Sequence, residues 1–529
     1  MAGCLRGADK LAGSAKKSLG ARCPKVVSTN LDDVAARPYC VHGFRDRVIT
    51  DRQKHKNLKS VPGGQRSMSM HRQRGGMSSS SAGSRAGHSG CTLPRRIRHC
   101  SLGVVTAAGL AAAPLASAVP GMATTPSMGL GDGSHPATLH TVVGNPAGPA
   151  AADRVGVQFG LGSVGMGYEL GPVDGLVDEV DEIIDILDRD NLGPSEADEL
   201  IERTEGVLAQ LGEDGWGKLQ ASGRPPLAPL VIGSARSGWS LALDAEATGH
   251  LGFNILDDEL RFVREAEAIQ SNTAAYLKGG GIVRLSAAPS IRVAEWEGGR
   301  ELFVGARVSH YQAELAKTVV ALSEDTERDF GDIIEDEIDR QQETSSAVGL
   351  DLGVVYQTRF FRAGGTWKNI NEPTFDFPAV GTDCSAETDP DLQTNCLTAA
   401  NFADRITREE EFRLNEQVTL EGALHDPSQR LVLAASYDAN TARDISGDEY
   451  QWLALSLSYR MPWYFKWIPD LRVGYRENLS GSELSYTTAG LTWLGVVNLD
   501  VAVADQDLEH DGETIPRSAM AHLGLQLRF

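Results

Sequence analysis

The residues with the clearest chemistry are Cys384 and Cys396, set in Gly-Thr-Asp-Cys-Ser-Ala-Glu-Thr-Asp-Pro-Asp-Leu-Gln-Thr-Asn-Cys, a polar, turn-rich segment with Pro390 inside the ring they would close. In an oxidising compartment two such neighbours pair as a disulfide. Two free thiols would fit only a reducing compartment, and a zinc site would need four ligands with no histidine nearby. Other candidate groups are scattered. His135, His140, His250, His310, His425, His510 and His522 include no pair at the spacing of a helical zinc site, and no Gly-x-Ser-x-Gly elbow occurs. The acidic stretch Asp505 to Glu513 lacks the glycine placement of a calcium loop, so a solvated face is the simpler account. No metal, cofactor or enzymatic activity is expected, although an active site assembled across loops would leave no such spacing.

What the chain does carry is a pattern for positioning groups in a wall. From Ala519 to Phe529, Ala519, Ala521, Leu523, Leu525, Leu527 and Phe529 share one strand face, with Met520, His522, Gly524, Gln526 and Arg528 on the other. A soluble edge strand has the same period, but ending on a carboxyl-terminal aromatic residue is how outer-membrane barrels finish, and Phe529 is the expected signal to the barrel-assembly machinery. Reading backwards gives strand-like runs at 517–529, 496–505, 483–494, 471–478, 451–460, 430–438 and 411–424. Leu471, Val473 and Tyr475 oppose Arg472, Gly474 and Arg476, an arrangement that a lipid-facing side and a polar lumen permit. With the carboxyl terminus in the periplasm, connections 505–516, 478–482, 438–450 and 371–410 fall outside the cell, which puts Cys384 and Cys396 on its surface. The turn Met461-Pro-Trp-Tyr-Phe-Lys-Trp-Ile-Pro-Asp470 fits an aromatic girdle at headgroup level, or a core cluster in a soluble protein.

Further upstream, strand-like runs at 154–160, 227–235, 238–247, 281–286, 301–312 and 346–358 bring the expectation to about 12 to 14 strands. Gly160-Leu-Gly-Ser-Val-Gly165 matches a dinucleotide fingerprint by letter, but strand-like sequence continues through Tyr168 and no βαβ unit follows. Glycines facing a crowded barrel wall are the simpler account. After the first strand, Val173, Leu176, Val177, Val180, Ile183, Ile184 and Leu187 form one apolar stripe on an acidic helix. Ser195 can cap a second helix with Leu200, Ile201, Val207, Leu208 and Leu211 as its stripe, which makes an acidic hairpin inserted at 172–212. A third helix is expected from Glu324 to Arg340, and all three must lie outside lipid.

Charge divides the chain. Residues 1–118 carry 20 Lys and Arg against 5 acids, a net of +15, which leaves 30 against 66 and a net of −36 for residues 119–529. Arg95, Arg96 and Arg98 precede the apolar run Leu102 to Ala116 and the small residues Ala116-Ser117-Ala118, the form of a secretory signal peptide over 77–118. Residues 1–76 read as a non-native or disordered extension upstream of a start at Met77 or Met70. A basic arm binding nucleic acid is the competing reading, but it would sit on the wrong side of a cleaved signal, and −36 argues against nucleic acid as partner. No other stretch approaches the roughly 18 apolar residues of a helical span.

The glycine-rich Ser127-Met-Gly-Leu-Gly-Asp-Gly133 leads into Gly144-Asn145-Pro146-Ala147-Gly148 and then into the barrel pattern. That order resembles the FadL-like outer-membrane superfamily. With the acidic hairpin and the terminal Phe529, residues 119–529 look like the branch of TraF-type plasmid-transfer proteins. A thioredoxin-like conjugation protein shares the TraF name, but this chain lacks its Cys-x-x-Cys. The resemblance implies an all-β membrane protein, an antiparallel transmembrane barrel of about 14 strands over 154–529, with residues 119–153 as an amino-terminal plug that contains Asn145, Pro146 and Ala147. It also implies an envelope component associated with conjugal transfer, or alternatively a channel for hydrophobic small molecules. Outer-membrane lipid, other envelope or conjugation proteins, or a hydrophobic ligand would be the partners, in the outer membrane of a Gram-negative bacterium.

Overall fold

The computed structural model describes residues 121–122, 138–152, 156–187, 189, 191–234, 238–322, 338, 340–465, 467–510 and 512–528, all within the unit of the chain that begins at Ile97. Residues 1–76, the 77–118 signal peptide, the 324–340 helix apart from 338 and 340, and Phe529 lie outside the described residues.

Alternation of side chains drives the architecture. The strands are β1 (Gly156–Leu170), β2 (Trp216–Arg224), β3 (Leu230–Ser234), β4 (Trp239–Leu256), β5 (Ala274–Trp296), β6 (Arg300–Ala321), β7 (Gln342–Gln357) and β8 (Phe361–Lys368). They continue with β9 (Gln417–His425), β10 (Leu431–Asp438), β11 (Trp452–Tyr459), β12 (Asp470–Asn478), β13 (Ser485–Trp493), β14 (Val497–Ala504) and β15 (Ser518–Arg528). Each pairs antiparallel with its neighbours in one sheet, and β1 closes the circle on β15 from Gln158 opposite Arg528 to Glu169 opposite Ser518. β2 and β3 share one place between β1 and β4, so these 15 segments make a barrel of 14 strands.

The polarity of the wall is inverted relative to a soluble protein. On β7, Val348, Leu350, Leu352 and Val354 are exposed while Asp351 between them is buried; on β12, Leu471, Val473 and Tyr475 are exposed while Arg472 and Arg476 are buried. A soluble sheet would hide its leucines and show its arginines. Apolar outside and polar inside is the signature of a transmembrane barrel. Among the described residues no helix is long and apolar enough to cross a membrane.

Connections divide by length. At the end holding the carboxyl terminus they cover 235–238, 297–299, 358–360, 426–430, 460–469 and 494–496, whereas the opposite end carries 171–215, 257–273, 322–341, 369–416 and 439–451 among others. Asp426 closes one tight turn by accepting from the backbone N–H groups of Ser428, Arg430 and Leu431, and the bond from the Ser428 hydroxyl, with these, holds its carboxyl well below the usual carboxylate range.

Two one-turn helices, α1 (Leu139–Val142) and α2 (Gly148–Ala151), and two longer ones, α3 (Leu176–Leu187) and α4 (Pro194–Asp214), are added to the strands. α3 and α4 join β1 to β2 at the long-loop end, where Ile183, Ile186, Leu200, Leu208 and Leu211 pack with Ile255 at the end of β4 and with Leu260 and Ile269 from the neighbouring connection. Gly193, not Ser195, holds the N-cap position of α4, because Pro194 suits the first helical turn and moves the start two residues earlier.

Several expectations are corrected. Strands β2 and β8 were invisible because Gly217, Gly223, Gly364 and Gly365 carry no hydrophobic signal, while the run 227–235 supplies only the short β3. The run 411–424 splits: Glu411–Arg413 pairs with Thr374–Asp376 in a loop ribbon, and only Gln417 onward enters the barrel. The segment from Gly381 to Cys396 is not turn-rich throughout, since α5 (Pro390–Asn401) begins inside it, capped by Asp389, whose side chain accepts from the Asp391 N–H. Tyr464, Phe465 and Trp467 are exposed, which rules out a core cluster at that turn.

Placing an arginine on the outer face at mid-strand should be costly. Leu455→Arg on β11 is expected to destabilise the barrel by about 2–4 kcal/mol in bilayers, as for other lipid-facing midplane sites. Denaturant unfolding in vesicles measures it, and a loss no larger than that of Ser456→Ala on the inner face would contradict the assigned faces.

Candidate functional site

The lumen brings together the groups with most scope for function, and it is built around residues 138–152. Thr138 caps α1 by accepting from the Thr141 N–H at 3.1 Å, and the Leu139 N–H donates to Gln526 Oε1 of β15 at 2.7 Å. Leu139 and Val143 pack on Val231, Ala242 and Ala288, so this end is held by β3, β4 and β5.

Asn145 makes the central contact. Its amide nitrogen lies 3.2 Å from the carbonyl oxygens of Val354 and Gly365 and 2.8 Å from Glu421 Oε1, and its own oxygen accepts from the Ala147 N–H at 2.9 Å. The wall makes room with glycines. A side chain at Gly305 would strike the Pro146 carbonyl, one at Gly353 would strike Asn145 Oδ1, and one at Gly364 would strike Glu421. Arg307 adds a second tie, donating to the carbonyls of Val143 and Gly144 while it pairs with Asp351 at 3.0 Å. Ala147 and Ala151 then pack on Phe303 and Val355. Asn145, Pro146 and Ala147 are thus brought to one patch of β6, β7, β8 and β9.

Other inward charges are matched. Arg472 holds Asp500 through Nε and both oxygens at 2.9–3.1 Å, and Arg224 and Arg284 both pair with Asp244 and Glu246. Nearer the long-loop end Lys218 sits between Glu169 at 3.2 Å and Asp448 at 2.9 Å, and Lys278 pairs with Glu410 at 2.7 Å. In that loop, burial and the neighbouring Asp448 push the Asp444 carboxyl up to about 6. Pairing is required because an ion without a partner in such surroundings costs several kcal/mol.

The wall itself is interrupted at one place. Pairing of β2 with β4 ends at Gly223 opposite Ala247 and pairing of β3 with β4 begins at Leu230 opposite Leu243, so Asp244–Glu246 have no strand partner on that side. On the other side Gly160 lets the chain approach: its N–H donates to the Pro229 carbonyl at 3.0 Å, and a side chain there would strike the Ala228 carbonyl. The Gly160–Gly165 glycines therefore belong to a strand beside this seam. Below it, a cavity of about 200 Å³ opens between Ala150, Ala151, Gly233, Trp239, Arg292 and Phe303.

The remaining sequence candidates lie elsewhere. Cys384 and Cys396 are joined in the 369–416 connection, with Cα atoms 5.4 Å apart and Cys396 on α5. Phe529 is outside the described residues, one position beyond the end of β15. Asp505 to Glu513 forms part of a ribbon, Asp507–His510 with Glu513–Pro516, and among the described residues no group of three potential metal ligands occurs. Sequence reasoning missed Arg307, Gly305, Gly353, Gly364 and Glu421, whose convergence depends on register between strands. It took His140 and His522 as scattered and missed that they meet, with ring centroids 6.3 Å apart.

A closed antiparallel barrel with an apolar outer face and a charged lumen defines an outer-membrane-type β-barrel protein. The chain belongs to the family described as "F plasmid transfer operon, TraF, protein", whose model matches residues 142–438. No curated protein matches it. Among solved structures it is similar to a Pseudomonas aeruginosa FadL homologue, at 9% identity over 79% of this chain and 100% of that one with a TM-score of 0.36. It is also similar to the Pseudomonas putida toluene transporter TodX, at 10% identity over 78% and 98% with a TM-score of 0.35. These likenesses are loose, and the fold rests on the strands and registers above.

Replacing the Asn145 donor by an acceptor should free the segment. Asn145→Asp would set a carboxylate against two carbonyls and Glu421, and Gly353→Val would push Pro146 from the wall; both are expected to cost about 1–3 kcal/mol per group left unsatisfied. Hydrogen exchange at Gly148 and Ala151 would rise in both variants, and unchanged protection would contradict the tie.

Proposed function

We propose that this protein is a structural component of a Gram-negative outer membrane associated with conjugal plasmid transfer, exported by the 77–118 signal peptide and inserted by the barrel-assembly machinery through Phe529. On this reading residues 119–153 form a resident plug and the barrel is a platform. The observation that carries it is the tie of Asn145 to the wall: a segment bonded to carbonyls of β7 and β8, with glycines at the contact points, suits a lumen kept occupied. The family's description, which refers to a plasmid transfer operon, supplies the setting. α3 and α4, which expose acidic side chains at the long-loop end, are the surface offered to other envelope or conjugation proteins. Cys384–Cys396 braces a neighbouring loop on the cell surface.

A second reading, a channel for hydrophobic small molecules, is favoured by one observation. The seam at Asp244–Glu246 lies where the backbone ladder is incomplete, and an apolar solute could leave sideways there only after the Arg224 and Arg284 pairs part.

Deleting the gene from donor cells separates the two. The platform reading expects conjugation frequency to fall by orders of magnitude and to be restored by the wild-type gene, with uptake of fatty acids and aromatic hydrocarbons unchanged. Normal transfer with slowed hydrophobic uptake would overturn it in favour of the channel.

A further inference from the structure

The wall is uneven in height. Strands β4, β5 and β6 have 18, 23 and 22 residues, whereas β8 to β14 on the other side have only 8 or 9 each. At about 3.4 Å per residue and a tilt of about 40°, strands that short reach only about 20–23 Å along the barrel axis, less than the apolar band of about 25 Å typical of such barrels. A bilayer meeting that side must thin, or the protein must add apolar surface at a rim.

The 460–469 turn between β11 and β12 supplies such surface. It is the longest connection at the carboxyl-terminal end, and four of its apolar side chains face outward: Tyr464, Phe465 and Ile468 are about half exposed or more, and Trp467 is 70% exposed. Its flanks, Tyr459 and Leu471, belong to the lipid-facing band, and the exposed Leu431, Trp493 and Leu494 carry the rim onto adjacent hairpins. The backbone is prepared for a poorly hydrated place. Phe465 N–H donates to the Pro462 carbonyl at 2.8 Å, Ile468 N–H to the Phe465 carbonyl at 2.8 Å, and Met461 N–H to Asp470 Oδ1 at 2.7 Å across the base. In a low-dielectric layer each backbone group needs such a partner.

We propose that this turn is a membrane foot: it lies in the headgroup layer of the inner leaflet and extends the lipid-facing surface of the short wall. Lipid is the occupant because the turn continues an established lipid face, and because tryptophan and tyrosine favour the boundary between apolar chains and water. The foot would hold the barrel at a fixed depth on the side opposite the tall strands.

Trp467 is one of eight tryptophans, and the difference in emission between the wild-type chain and Trp467→Phe isolates its signal. Both are reconstituted into phosphatidylcholine vesicles brominated either near the headgroup or near the acyl-chain end, with iodide on both sides in a parallel set. The foot requires that the emission lost on Trp467→Phe be quenched more by the shallow than by the deep bromines and be spared by iodide. Emission that iodide quenches and neither bromine affects would overturn it, and would leave the patch open to a periplasmic protein instead. Folding of the variant is read from heat-modifiable gel mobility; should it fail, the emission gained on Ile468→Trp gives the same reading.

Discussion

Hydrocarbon offers no hydrogen bonds, so every N–H and C=O that enters it must find a partner within the protein. For a chain of strands the solution is closure, here the pairing of the first strand with the last. Glu169 opposite Ser518 at one end and Gln158 opposite Arg528 at the other leave no lipid-exposed edge along β1 and β15. Alternating side chains then have only two places to go, lipid or lumen. The arginines, aspartates and glutamines sent inward must pair with one another, and the space they enclose must be filled or wet. The 138–152 segment fills part of it.

That constraint explains why glycine matters where it does. At Gly305, Gly353 and Gly364 the absent side chain lets Pro146, Asn145 and Glu421 come against the wall, which turns three neutral-looking strand positions into a seat for one motif. At Gly160 it allows the crossing beside β3, where the ladder to β4 is incomplete. One residue type thus serves two opposed ends, seating the 145–147 segment in one place and loosening the wall in another. On the proposed reading the first dominates, since the charges behind the seam are mutually paired.

Much of the wall was legible in the sequence because alternation is local. Six of the last seven runs, counted back from the carboxyl end, lie where barrel strands are found, the seventh does so only from Gln417 onward, and their long connections fall on one side as expected. Legibility ends where side chains are small or partners are distant. Trp216–Arg224 and Phe361–Lys368 are glycine-interrupted and gave no period, and α5 hides in a polar stretch whose helix depends on an Asp389 cap. The Asn145 motif was visible as letters, but its seat was not: Val354, Gly365 and Glu421 come from three strands, and only barrel register brings them to one amide. Pairing of His140 with His522 was hidden for the same reason.

The central claim is that the lumen is kept occupied by the chain's own segment. Planar-bilayer conductance tests it directly, with the wild-type protein measured beside a chain lacking residues 138–152. The account predicts a silent wild-type barrel and a steady open conductance once the segment is removed. Equal, steady conductance from both would contradict it.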